Sequence, residues 1–121
     1  MQPNPDHLIR IVPHPARLRV RWNGKIVADT TDALMLYEAN YPGVRYVPHA
    51  DVDMMLLETS QYKTRCPYKG EASYFSLRDG GRRVENAVWS YEAPFPVAKD
   101  IAGYLAFDPK HVEFVDDDPL S

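Results

Sequence analysis

The chain has a single cysteine, Cys66. No internal disulfide can form, so a reducing compartment fits and the chain reads as cytoplasmic. No apolar run approaches the roughly 18 residues that a membrane-spanning helix needs. The opening "MQPNPDHLIR" lacks the charged-then-apolar pattern of a secretion signal. Positive charge is also short: 14 Lys and Arg face 17 Asp and Glu, a net charge of −3. Nucleic-acid binders usually carry a basic balance or stripe, so that partner is disfavoured. The four histidines, His7, His14, His49 and His111, are scattered. With one cysteine they make none of the usual ligand spacings, so no metal and no cofactor are expected. There is no glycine-rich phosphate loop and no Gly-x-Ser-x-Gly elbow.

What is present is ordinary globular composition, 45% hydrophobic and 26% charged over 121 residues. That length suits one domain with one core. Eleven prolines and eight tyrosines are the excesses. Prolines oppose long helices and suit short strands joined by turns. Residues 1–15, with four prolines, read as an extended, partly mobile lead-in. Residues 16–115 read as the domain, and 116–121 as a solvated acidic tail.

Asn23-Gly24 between two alternating runs is a strong hairpin signal. A two-residue turn pairs Trp22 with Lys25 and Val20 with Val27. Leu18, Val20, Trp22 and Val27 then share one face, with Arg19 and Arg21 on the other. "TTDALMLYE" is either a short helix capped by Thr31 or Asp32, or a strand over "ALMLYE". "VRYVP" is strand-like, and "HADVDMMLLETS" reads as a turn into a strand. "ASYFSLR" and "RVENAVWSY" flank Gly80-Gly81 as a second hairpin. A tight turn there sets Leu77 opposite Val84, Phe75 opposite Asn86, Ser73 opposite Val88 and Glu71 opposite Ser90. Both faces are apolar, so this hairpin is expected to be central and covered on both sides. A helical turn over 97–102 and strands at 104–107 and near the end complete the reading.

The segment "TRCPYKGEASYF" concentrates chemistry. Lys63, Arg65 and Lys69 surround Cys66, and nearby cations favour the reactive thiolate. Pro67 holds Cys66 extended. The mouth of the second hairpin brings together Cys66, Tyr68, Lys69, Glu71, Trp89 and Tyr91. Convergent polar groups beside aromatics suit a small-molecule site. Cys66 is the candidate nucleophile and Glu71 the candidate base. Tyr68, Lys69, Tyr74, Trp89 and Tyr91 are the candidate ligand-binding residues. Set against this, a lone cysteine is more often a small buried hydrophobe. Its bases, His49 and His111, are not placed near it by the sequence. Asp51 and Asp53 would share a strand face and could hold magnesium, though such triplets are common.

"CPYKGEASYFSL", "ENAVWSYEAPFP" and "IAGYLAF" together resemble the domain-of-unknown-function 427 family over roughly residues 16–115. The resemblance implies a mainly β domain, compact, antiparallel and two-sheeted, with one or two short helices. It implies a β-tent-like arrangement, shared with methionine sulfoxide reductase B and the thalidomide-binding domain of cereblon, and a family found in bacteria and some fungi. β-Tent zinc sites use two Cys-x-x-Cys pairs, which one cysteine cannot supply. The family sometimes carries the label of predicted nucleotidyltransferase, but "DVD" has no Gly-Ser before it. The upstream "RLRVRWNGKIVADTTDALMLYE" is similar to the same family, and that resemblance adds Glu38 to the candidate ligand-binding residues. Three functions are therefore expected in descending order. The first is binding of a small molecule, with or without catalysis. The second is a protein or peptide interaction module. The third is magnesium-dependent nucleotide transfer. The ligand and the oligomeric state stay open.

Overall fold

The computed structural model describes residues 8–117. His7, the first residues of the lead-in and the last of the acidic tail lie outside that range. The described chain is mainly β. Ten strands run in order: β1 (Ile9–Pro13), β2 (Arg17–Trp22), β3 (Lys25–Thr30), β4 (Leu34–Glu38), β5 (Val44–Tyr46), β6 (Leu57–Cys66), β7 (Gly70–Asp79), β8 (Arg82–Ser90), β9 (Leu105–Phe107) and β10 (Glu113–Asp117). Short 3-10 segments cover His49–Asp51, Met54–Leu56 and Pro96–Ile101. No helix among the described residues is long and apolar enough to cross a membrane.

Three antiparallel sheets form where two were expected: β1-β4-β5, β10-β2-β3 and β6-β7-β8-β9. Two of them are tied together. Val47, just past β5, exchanges two backbone hydrogen bonds of 2.8 Å with Leu105 at the start of β9. A second bridge joins Ala28 of β3 to Val52.

The Asn23-Gly24 turn forms as expected, with Trp22 opposite Lys25. Asn23 takes φ 53° and Gly24 φ 75°, the left-handed pair such a turn requires. One residue further a bulge intervenes, so Val20 faces Ala28 and not Val27. Leu18, Val20, Trp22 and Val27 are all buried on one side regardless. "ALMLYE" resolves to strand β4, flanked by β1 and β5. Residues 9–13 of the lead-in are that flanking β1. Met54–Leu56, read as the start of a strand, is a 3-10 turn, because the Asp53 carboxylate accepts the Met55 N–H at 3.1 Å and caps it.

Near its turn the second hairpin also matches, with Leu77 opposite Val84. An irregularity then shifts the register by two, so Phe75 faces Val88 and Ser73 faces Ser90. A shift of two keeps each side chain beyond it on its face. Trp89 is thereby moved opposite Tyr74. The strands β7 and β8 are central in their sheet and covered on both sides, as expected. On one side lies a core of Leu18, Val20, Trp22, Val27, Leu77, Val88 and Phe107. On the other lies a smaller cluster of Leu36, Tyr46, Ala72, Tyr91, Ala98, Ile101 and Ala106.

Asp116 and Asp117, expected in the tail, pair within β10 against Leu18 and Arg17. Asp116 meets His14 at 2.7 Å and Arg45 at 2.8 Å, and Asp117 meets Arg19 at 2.7 Å. Partial burial works against the Asp116 charge, yet the bonds from Arg45 and His14 hold its carboxyl below the usual range.

Candidate functional site

The smaller cluster opens to a cavity of about 380 Å³. Its walls follow from strand alternation. Leu36 and Glu38 point in from β4, Val44 and Tyr46 from β5, Tyr74 from β7 and Trp89 from β8. Lys69 reaches in from the β6–β7 turn and Tyr91 from just beyond β8. Asn86 and Asp108 line one side.

Local backbone explains how Lys69 arrives there. Cys66 pairs with Gly70 across a three-residue turn. Gly70 has φ 113°, a conformation that side chains rarely take. The Phe95 N–H donates to the Lys69 carbonyl at 2.9 Å and fixes the turn to the segment after Tyr91.

Lys69 is only 8% exposed, and its ammonium is ion-paired with the Glu38 carboxylate. The two side chains are 11% and 17% exposed. The ammonium also lies 5.7 Å from the centre of the Tyr91 ring, a cation–π contact. Charges taken this far from water must be paired, and here each partner serves the other.

The aromatic wall is continuous. Tyr74 and Trp89 have ring centres 6.5 Å apart at 40°, and Tyr62 meets Tyr74 edge-on at 4.8 Å. The Tyr74 hydroxyl is held by Thr64 at 3.0 Å. The Trp89 indole N–H donates to the Tyr46 hydroxyl at 3.3 Å. Burial pushes the Tyr46 phenol up to about 12, although the Trp89 hydrogen bond works the other way. Burial raises Tyr91 further still.

Of the expected ligand-binding residues, Glu38, Lys69, Tyr74, Trp89 and Tyr91 come together around this cavity. Tyr68 sits in the turn, half-buried, and is not among the cavity walls. Glu71 pairs with Arg65 of β6, not with Ser90, and is exposed. Cys66 packs against the cluster holding Tyr46 and Tyr91 but does not line the cavity. Of the cations around it, Lys63 donates to Ser73 and Lys69 to Glu38. His111 lines a separate depression with Arg21 and Trp22, and His49 is exposed in its 3-10 turn. Asp51 accepts from the Thr30 hydroxyl at 2.7 Å and Asp53 caps its turn. Neither lies on a strand. Among the described residues no three His, Cys, Asp or Glu side chains gather as a metal site.

Sequence reasoning missed Tyr46, Asn86 and Asp108. Tyr46 had one available signal: it alternates with Val44 on a short strand, which points both to the same side. Nothing local marked Asn86 or Asp108.

The model of the family described as a domain of unknown function, DUF427, matches residues 10–118. The chain belongs to the DUF427 family. The match runs past the 16–115 span on both sides and takes in β1 and β10. No curated protein matches the chain. The DUF427 description names no reaction, so membership gives kinship and the chemistry must be argued from the cavity.

Proposed function

We propose that this DUF427 chain binds a small molecule in the cavity over the Glu38–Lys69 pair. The observation that carries the reading is a largely buried ion pair at the floor of a space walled by Tyr74, Trp89 and Tyr91. A buried pair is weak evidence for stability, because apolar residues of similar size often serve the fold as well. Placed beside open space, it supplies one donor and one acceptor group to an occupant. A volume of about 380 Å³ lies within the roughly 300–1,000 Å³ usual for such sites. The single cysteine supports a reducing compartment.

The reading is of binding first. Cys66 and Glu71 stand outside the walls, so Cys66→Ser is expected to leave ligand affinity unchanged. Turnover that is lost in Cys66→Ser would restore a covalent role for the thiol. The test is thermal denaturation of wild type and Trp89→Ala across a metabolite and nucleotide panel, with and without magnesium. A ligand that binds only the folded state raises Tm. A hit lost in Trp89→Ala supports the reading. A hit that needs magnesium and survives Trp89→Ala favours nucleotide transfer at Asp51 and Asp53 instead.

A second reading rests on Tyr62, which is 51% exposed while it meets Tyr74 edge-on. That aromatic edge suits an apolar side chain of a partner peptide. A blank metabolite panel, together with capture of a peptide that depends on Tyr62 and Trp89, would favour the interaction module.

A further inference from the structure

The indole N–H of Trp89 can only donate, so the Tyr46 oxygen is the acceptor of their 3.3 Å hydrogen bond. That bond orients the phenol and leaves its own O–H to point elsewhere. Among the described residues, the Tyr46 hydroxyl makes no other hydrogen bond. Yet Tyr46 is 1% exposed and lines the cavity. A hydroxyl so deeply buried with its proton unspent is costly to the fold unless an acceptor meets it. Accepting from Trp89 also polarises the phenol and strengthens it as a donor. The phenol keeps its proton to about 12, so it donates throughout the physiological range.

The charges around it limit what that acceptor can be. Glu38 and Lys69 cancel each other, and Asp108 adds a negative group on one side. The Lys69 ammonium has donors beyond the one it gives Glu38, but an anion that took one would sit against the Glu38 carboxylate. A cation would have to sit beside Lys69. An uncharged acceptor disturbs neither partner. The Tyr74–Trp89 wall offers a flat ring face beside it.

We infer that Tyr46 is the hydrogen-bond donor to the occupant of this cavity, and that the occupant is an uncharged, ring-bearing molecule with a carbonyl oxygen. The inference rests on the reading of the cavity as a ligand site. Benzamide and benzoate test it, since they share ring and size and differ in charge. Both are titrated into ¹⁵N-labelled full-length protein, with the Trp89 indole N–H signal as the readout. Wild type should bind benzamide at least tenfold more tightly than benzoate. Tyr46→Phe should weaken benzamide about tenfold, the loss of one directed hydrogen bond to a buried acceptor. If Tyr46→Phe does not fold, Trp89→Phe replaces it. That variant removes the group that orients Tyr46 and should weaken benzamide likewise, read on the Lys69 and Tyr91 backbone amides. Equal affinity for benzamide with and without the Tyr46 hydroxyl overturns the inference, as does benzoate binding as well as benzamide. No response to benzamide also overturns it. The broader reading then stands or falls separately, on whether the metabolite panel gives a hit lost in Trp89→Ala.

Discussion

Tyr46 joins a buried phenol to a pH-dependent stability. Its ordinary value near 10 is pushed up to about 12 in the folded chain. The folded state therefore holds this proton more tightly than the unfolded state does. Stability from this group is intact below about pH 10 and is lost as pH rises towards about 12. Two units correspond to about 3 kcal/mol. Tyr46→Phe should flatten the alkaline limb of a stability-versus-pH curve and remove one late tyrosine from an ultraviolet titration. Part of the limb should persist, because Tyr91 is raised too. The Glu38–Lys69 pair makes a second residue-scale prediction. Lys69→Met should lower stability by a few kcal/mol at most, about 3, in chemical denaturation, since it removes the ammonium paired with a largely buried carboxylate. Glu38→Leu combined with Lys69→Met should recover much of that loss and still abolish binding. A double variant as unstable as Lys69→Met alone would show that the pair is not coupled as described. Lys69, Tyr74, Trp89 and Tyr91 were legible because they sit in motif blocks that pack polar and aromatic residues together, and Glu38 only because its segment resembles the family. Tyr46 was not, because its role depends on which sheet β5 joins.

At the scale of elements, bulges decide which side chains meet. The Gly80-Gly81 turn sets the pairing for three steps, from Asp79–Arg82 to Leu77–Val84, and alternation alone would carry it on unchanged. Asn86 interrupts it with φ 55°. Its backbone N–H donates to the Ser76 hydroxyl at 3.1 Å, and its side chain accepts from Ser60 at 2.6 Å. These contacts come from two other strands, so no reading of "RVENAVWSY" by itself could foresee them. Their consequence is the Tyr74–Trp89 pair, and with it the aromatic wall. The same shift sets Ser90 opposite Ser73 instead of Glu71, which pairs with Arg65 across the other edge of β7 and stands outside the expected site. In β6 an irregularity between Thr59 and Lys63 comes where Tyr62 meets Tyr74. The β6–β7 turn is the element that delivers Lys69, and Gly70 makes its bend possible. Gly70→Ala should cost about 1–3 kcal/mol through backbone strain alone. Its added carbon would meet the Pro94 Cα at 3.5 Å, an ordinary contact, so crowding adds little. If Gly70→Ala is as stable as wild type, the turn does not need its left-handed residue.

Across the whole molecule, β7 and β8 divide two clusters that share one sheet. Trp22 reports on the larger cluster and Trp89 on the smaller. Because the clusters meet through the same strands, they should unfold together. Trp22→Phe and Trp89→Phe proteins, each keeping one indole, should give denaturation midpoints that differ only by the cost of the substitution and that match circular dichroism of the same variant. Separate fluorescence and dichroism midpoints in either variant would mean that the cavity side opens first. The mainly β class was legible from prolines, turns and alternation. The count of sheets was not, because the Val47–Leu105 link and the place of β1 are long-range pairings with no local signature. The proposed function turns on whether the Glu38–Lys69 cavity receives a small molecule. A fragment library screened by NMR against the labelled wild-type chain tests that claim most directly. Shifts should concentrate on Lys69, Tyr74 and the Trp89 indole and disappear in Trp89→Ala. Shifts confined to the depression beside Arg21 and His111, or to none of these residues, would contradict it.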